Sequence, residues 1–209
     1  MPDEREVKML VPDGFRLPDL EEVTPGVRAH DRGVRVLVAT YWDTETLALQ
    51  RAGFGLRYRT TDGSAGQWTV KAQSRRDGPA VVREELDIDG DPGTPPPPAL
   101  QRVGGALGGG ALRPVVTVHT NRHIVDLVDA GGTRVAEVAD DRVSTRHQDR
   151  ELTAFREVEI ELVGDAGPAF VDAVLQRLRR AGAGAVDATP KYVRGLRARG
   201  FEIPEGELA

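Results

Sequence analysis

The sequence predicts a mostly-β, α+β fold: eight antiparallel strands, a number that suits a β-barrel, with a few flanking helices. Three observations predict it. Runs rich in Val, Leu, Tyr and Thr, separated by Gly, Asp and Pro clusters, fill most of the 209 residues. Turn signals at Asp62-Gly63 and Gly131-Gly132 make chain neighbours antiparallel partners. Eight such runs is also a number that closes a small barrel.

In chain order the predicted strands are residues 4–10, 34–43, 54–60, 67–72, 81–86, 113–127, 133–143 and 155–163. The stretch DGDPGTPPPP reads as a stiff polyproline-type connection. It leads into a glycine-loaded helical segment with apolar Leu100, Val103 and Leu107. A firmer helix follows the last strand. Pro168 suits its first turn, Phe170, Val171, Val174, Leu175 and Leu178 form one apolar stripe, and Gly182 stops it. A shorter helix is predicted over 191–199. No internal repeat interrupts the pattern, and residues 1–209 read as one domain.

Composition narrows the function. With a formal net charge of -5 and 29% charged residues, no global basic field advertises nucleic-acid binding, so an anion site must be local. The absence of cysteine removes thiolate nucleophiles and Cys-based zinc sites, and suits a reducing cytoplasm. No stretch approaches the roughly 20 apolar residues of a membrane span, and the N-terminus is acidic rather than leader-like. A cytoplasmic chain without membrane or nucleic-acid partners is expected.

The charged residues carry the pattern that matters. In EREVKML, alternation puts Glu4, Glu6 and Lys8 on one face and Arg5, Val7 and Met9 on the other. FREVEIELV repeats this with Glu157, Glu159 and Glu161. In LRYR, Arg57 and Arg59 share a face, as do Thr69 and Lys71 in WTVK. Acids thus gather on the first and last strands and bases on the middle ones. A wet sheet laced by ion pairs worth about 0.2–1 kcal/mol each would intersperse the signs instead. Clustered carboxylates repel one another unless a cation sits among them, and clustered guanidinium groups await an anion such as phosphate. A metal-bound polyphosphate satisfies both.

These residues resemble a known family. EREVK is similar to the ExExK signature of the CYTH family, the triphosphate tunnel metalloenzymes. ATYWDTETLALQRAGFGLRYRT resembles that family's tyrosine-aspartate-threonine segment and paired-arginine strand. WTVKA, VVREEL, LRPVVTVHTNR, VAEVADDRV, REVEIEL and KYVRGL follow in the family's order. The resemblance implies an eight-stranded tunnel and a Mg²⁺- or Mn²⁺-dependent hydrolase of inorganic triphosphate. Nucleoside or thiamine triphosphatase, adenylate cyclase and a non-catalytic polyphosphate-binding module are the alternatives. It implies metal-binding carboxylates at Glu4, Glu6, Glu157, Glu159 and Glu161, with Asp140 or Asp141 joining them according to register. It implies phosphate ligands at Lys8, Arg57, Arg59, Lys71, Arg122 and Lys191, with Arg83 and Arg113 as further candidates. Glu4, Glu6, Lys8 and Glu159 form the expected catalytic set. Longer bacterial members join such a module to a helical CHAD domain, so the resemblance implies an N-terminal module of a CYTH-CHAD protein.

Other motifs carry less. GGALGGG lacks the Lys-Ser/Thr of a phosphate loop. His119 and His123 have helical metal spacing but sit in a strand, and His30 and His147 are isolated. No Gly-x-Ser-x-Gly elbow supports a serine hydrolase. Trp42 and Trp68 read as packing residues.

Overall fold

The computed structural model describes residues 3–72, 74–164 and 166–204. Among the described residues nine strands are formed: β1 (Asp3–Leu10), β2 (Arg28–Asp43), β3 (Gly55–Thr61), β4 (Gln67–Lys71), β5 (Arg75–Asp77), β6 (Ala80–Asp89), β7 (Arg113–Val128), β8 (Arg134–His147) and β9 (Arg150–Leu162). Four helices accompany them: α1 (Ala48–Arg51), α2 (Pro97–Val103), α3 (Pro168–Arg180) and α4 (Lys191–Ala198). Strand order is β1-β9-β8-β7-β2-β3-β4-β6, and pairing of β6 with β1 closes the eight-stranded antiparallel barrel.

The ninth strand is a continuation. β5 pairs with the start of β6 on the edge that β4 occupies further along, so β4 and β5 together form one interrupted wall. Two other departures from the sequence reading have local causes. β2 starts at Arg28 rather than Val34, because its polar first half runs through an irregularity between Asp31 and Gly33 that breaks the alternation. Gly33 has φ 75°, a conformation that glycine adopts freely. The one-turn helix α1 has no apolar periodicity to announce it. It hangs on the buried Asp43 carboxylate, which accepts the N–H groups of Thr44, Leu49 and Gln50 at 2.6, 2.8 and 3.0 Å.

The barrel is inside out. Val7 and Met9 of β1 and Val158 and Ile160 of β9 face outward, into a core completed by the 11–27 segment and by Val171, Val174, Leu175 and Leu178 of α3. A second outer cluster packs Leu56, Trp68 and Val70 beneath Ala99 and Val103 of α2, with Trp42 against Trp68. Both tryptophans are therefore packing residues. Glycine limits α2 to seven residues, followed by a 3₁₀ turn over Gly104–Ala106.

α4 is seated differently. Its Gly195 lies so close to Val116 and Thr145 that a Cβ there would meet Val116 Cγ2 at 2.7 Å and Thr145 Cβ at 3.0 Å. By alternation, Val116 and Thr145 share the inward face with Arg122 and Asp141. Tyr192 stacks on inward-facing Tyr41, ring centroids 4.4 Å apart and planes 13° from parallel. α4 thus stops one end of the barrel and delivers Lys191, its first residue, to the interior. No helix among the described residues is long and apolar enough to cross a membrane.

Candidate active site

The barrel encloses a cavity of about 260 Å³. Seven acids (Glu4, Glu6, Glu85, Asp87, Glu137, Glu159, Glu161) and seven bases (Lys8, Arg57, Arg59, Lys71, Arg83, Arg122, Lys191) line it. The wall is therefore balanced in formal charge, and the fully buried Asp141 and Glu157 add negative charge behind it.

Most of these groups neutralise one another along the barrel wall, within a strand or between neighbouring strands. Lys8 lies 3.3 Å from Glu6, and Arg83 binds Glu6 and approaches Glu4 at 3.4 Å. Lys71 bridges Glu4, at 3.1 Å, and Glu85. Arg122 takes both oxygens of Asp141 at 2.9 and 2.7 Å and also reaches Glu159. The Lys191 ammonium sits 3.0 Å from Asp141 and 2.6 Å from both Glu157 and Glu159. The self-repulsion expected of segregated acids and bases is thus largely relieved by cross-strand pairing.

Titration follows these contacts. Burial pushes the Glu159 carboxyl up, but Lys191, Arg122 and Lys8 outweigh it and hold the group well below the usual range. Burial is likewise outweighed at Glu6, by Lys8 and Arg83, and at Glu85, which falls to about 2 chiefly through Lys71. Burial raises Glu157, and Lys191 offsets it only in part. Lys191 itself is held ionised despite burial by Glu157, Glu159 and Asp141.

Two sets lack a direct ion pair. Arg57 and Arg59 have no acid within ion-pairing distance among the described residues, and Arg57 Nε is buried without a hydrogen-bond partner. Burial works against the Arg57 charge, but Tyr41, Glu85 and Glu4 outweigh it and keep the guanidinium ionised. Repulsion by Arg57, then burial and Arg122, pulls Arg59 down to about 10. At the opposite sign, Glu161 has no ion-pair partner among the described residues. It lies across from Glu6 on β1 and Glu137 on β8, and burial followed by the charges of Glu4 and Glu137 raises its pKa.

Of the residues singled out from sequence, Glu4, Glu6, Lys8, Arg57, Arg59, Lys71, Arg83, Arg122, Glu159, Glu161 and Lys191 are brought together on the cavity wall. Asp141 and Glu157 stand behind Lys191, and with Glu159 they offer oxygens within 4.8 Å of one another. Register separates the two aspartates. Asp140 faces outward and is held by Arg156 at 2.8 and 2.6 Å, so it cannot join the metal-binding carboxylates. Arg113 is also outside: half-exposed at the start of β7, it pairs with Glu45 at 3.1 Å and does not line the cavity. His119 and His123 are on the outer face of β7, where His123 meets Asp31 at 3.0 Å.

Sequence reasoning missed Glu85, Asp87, Glu137, Tyr41 and Tyr192 on the wall. Alternation from Arg83 reaches Glu85 and Asp87, and alternation from Asp141 reaches Glu137, so the signal for these three was present. Tyr41 had its signal in the tyrosine-aspartate-threonine segment that the sequence shares with the family, while the charged residues of like parity on β2, Arg35 and Asp43, lie outside the lumen and do not mark its inward face.

A model of the CYTH domain matches residues 3–193. Two uncharacterized proteins of Mycobacterium tuberculosis, strains CDC 1551 / Oshkosh and ATCC 25618 / H37Rv, are each 30% identical over 204 residues. The alignment covers 90% of this chain but only 39% of theirs, so the chain spans about two fifths of their length. Among solved structures, a candidate adenylyl cyclase of Hippeastrum, described as having a dominant triphosphatase activity, superimposes with a TM-score of 0.60 at 15% identity, covering 96% of this chain and 98% of its own. A candidate adenylate cyclase of Bacillus halodurans gives 0.58 at 16% identity, over 93% and 98% of the two chains. At these identities the structures establish the shared fold, and the family rests on the domain match across nearly the whole chain. The chain belongs to the CYTH domain family.

Proposed function

We propose that this chain is a divalent-metal-dependent triphosphatase that hydrolyses inorganic triphosphate to diphosphate and phosphate. One observation carries the reading: after internal pairing, one enclosed lumen retains two neighbouring arginines with no direct ion pair, Arg59 repelled by Arg57 and Arg57 held only by Tyr41 and more distant acids, together with a carboxylate group, Glu161, that likewise has no ion pair among the described residues. The triphosphatase activity described for the Hippeastrum protein supports it.

In this reading Arg57 and Arg59 take the phosphate chain first, through charge-assisted bonds that also relieve their mutual repulsion. Lys8, Lys71, Arg83, Arg122 and Lys191 stand around the lumen to cancel the remaining charge as it develops on the leaving diphosphate. Glu4, Glu6, Glu137 and Glu161 fit a hard divalent cation, Mg²⁺ or Mn²⁺, because they supply oxygen donors and Glu161 has no direct ion pair among the described residues. Such a cation supplies charge neutralisation at phosphate oxygens and an activated water. Glu159, kept ionised, holds Arg122 and Lys191 at the lumen.

A nucleoside triphosphate is the second reading, favoured by the aromatic side chains of Tyr41 and Tyr192 on the wall. Their stacking on each other occupies one face of each ring, which favours a substrate made only of phosphates. Phosphate release from triphosphate, ATP, thiamine triphosphate and diphosphate, with and without Mg²⁺ or Mn²⁺, decides among them. Metal-dependent release, fastest from triphosphate, is expected. Binding without release would make the chain a polyphosphate-binding module.

A further inference from the structure

Two carboxylate clusters in the barrel differ in one respect. Glu161 has no ion pair among the described residues, and its neighbours Glu4, Glu6 and Glu137 are engaged by several different bases, whereas Asp141, Glu157 and Glu159 all converge on a single cation supplied by the chain itself. The oxygens of that cluster lie within 4.8 Å of one another, a spacing one metal ion can span with bonds of about 2.0–2.6 Å. The Lys191 ammonium sits 2.6 to 3.0 Å from all three, where such an ion would lie.

We propose that Lys191 is a resident counter-ion which keeps divalent metal out of the Asp141–Glu157–Glu159 cluster until a bound phosphate chain draws the ammonium away. This rests on the reading that the tunnel takes a phosphate chain. An ammonium and a divalent ion cannot share that space, because like charges at such a distance repel strongly wherever water is excluded. The cluster is buried, so the repulsion is poorly screened. Lys191 is carried on a flexible four-carbon stem at the start of α4, and its helix is fixed by other contacts: Tyr192 on Tyr41, and Gly195 against Val116 and Thr145. The side chain can therefore exchange a carboxylate for a phosphate partner without dislodging the helix. Metal and phosphate then favour one another's binding through the same lysine, and the coupling is reciprocal.

The test is Mn²⁺ titration of the full chain without phosphate, following free Mn²⁺ by electron paramagnetic resonance. Lys191→Met removes the charge and keeps most of the stem. The variant should take up a second Mn²⁺ about tenfold or more tightly than the wild type does. Identical titrations of wild type and variant would overturn the proposal. Should Lys191→Met not fold, the wild type answers alone, through the ε-carbon resonance of Lys191. Mg²⁺ by itself should leave that resonance in place, and Mg²⁺ with triphosphate should shift it. An equal shift from Mg²⁺ alone overturns the proposal. Failure of triphosphate to raise the wild-type melting temperature would instead overturn the reading of the site on which it rests.

Discussion

Asp140 grips Arg156 with both carboxylate oxygens on the outer wall of the barrel, while Asp141, the next residue, grips Arg122 in the same two-pronged way inside it. Arg156 also donates to the carbonyls of Asp13 and Phe15 at 2.8 and 2.6 Å and lies over the Phe15 ring, so the outer pair staples the 11–27 segment to β9. Asp140→Asn should cost about 3–5 kcal/mol of stability, as expected for a buried pair broken from one side, and leave triphosphate binding intact. Asp141→Asn should instead weaken Mn²⁺ binding in the presence of triphosphate. Urea denaturation and metal titration of both variants check the division.

Arg59 is a base with no acid of its own. Arg59→Met should raise the melting temperature of the ligand-free protein, since it removes repulsion from Arg57 and Arg122. The same change should abolish most of the stabilisation by triphosphate, which for the wild type is about 2.7 kcal/mol at a hundredfold excess over Kd. Thermal melts with triphosphate and Ca²⁺, against sulfate at equal ionic strength, measure both effects. A lower melting temperature without ligand would mean that Arg59 is already satisfied.

Gly195 sets how deeply α4 enters the barrel. Gly195→Ala should cost about 1–3 kcal/mol by overpacking and weaken triphosphate binding by displacing Lys191. Adding Val116→Ala removes the closest of the atoms that the new Cβ would strike, leaving the contact with Thr145, and should restore binding in part. Failure of the second change to restore binding would separate helix depth from the placement of Lys191.

The acid limb of stability should carry the signature of Glu85. Its pKa is depressed to about 2, so its contribution is fully present above the unfolded value of about 4.3 and is lost as pH falls toward 2. Glu157 and Glu161 act with the opposite sign, because their raised pKa values favour the folded state on protonation. Glu85→Gln should therefore flatten the loss of stability between about pH 4.3 and 2. Parallel pH profiles of the two proteins would show that the Lys71 contact contributes nothing to folding.

The barrel and its charged interior were legible because both obey one local rule, alternation along a strand. Glu4, Glu6 and Lys8, like Glu157, Glu159 and Glu161, reveal their common face without any knowledge of partners. What alternation cannot supply is phase. Asp140 and Asp141 are chemically identical, and only the pairing of Asp141 with Glu157 and Arg122 across the sheet puts one of them inside. Arg113 sits on the first residue of its strand, beyond the enclosed part of the lumen, where strand position and not residue type decides its surroundings. β5 was illegible for another reason: three exposed charged and polar residues, Arg75, Arg76 and Asp77, form a strand only because β6 offers them an open edge.

The inside-out distribution of side chains bears on how the chain finds its fold. In an ordinary half-buried sheet, slipping one strand by a single residue exposes apolar groups to water and puts polar ones in the core. Here the same slip on β9 would drive Glu157, Glu159 and Glu161 into the apolar layer under α3, and at once strip Lys191 and Arg122 of their partners. The error would be felt on both sides of one strand. The residues proposed to handle phosphate and metal therefore also act as proofreaders of strand alignment during folding, before any ligand arrives.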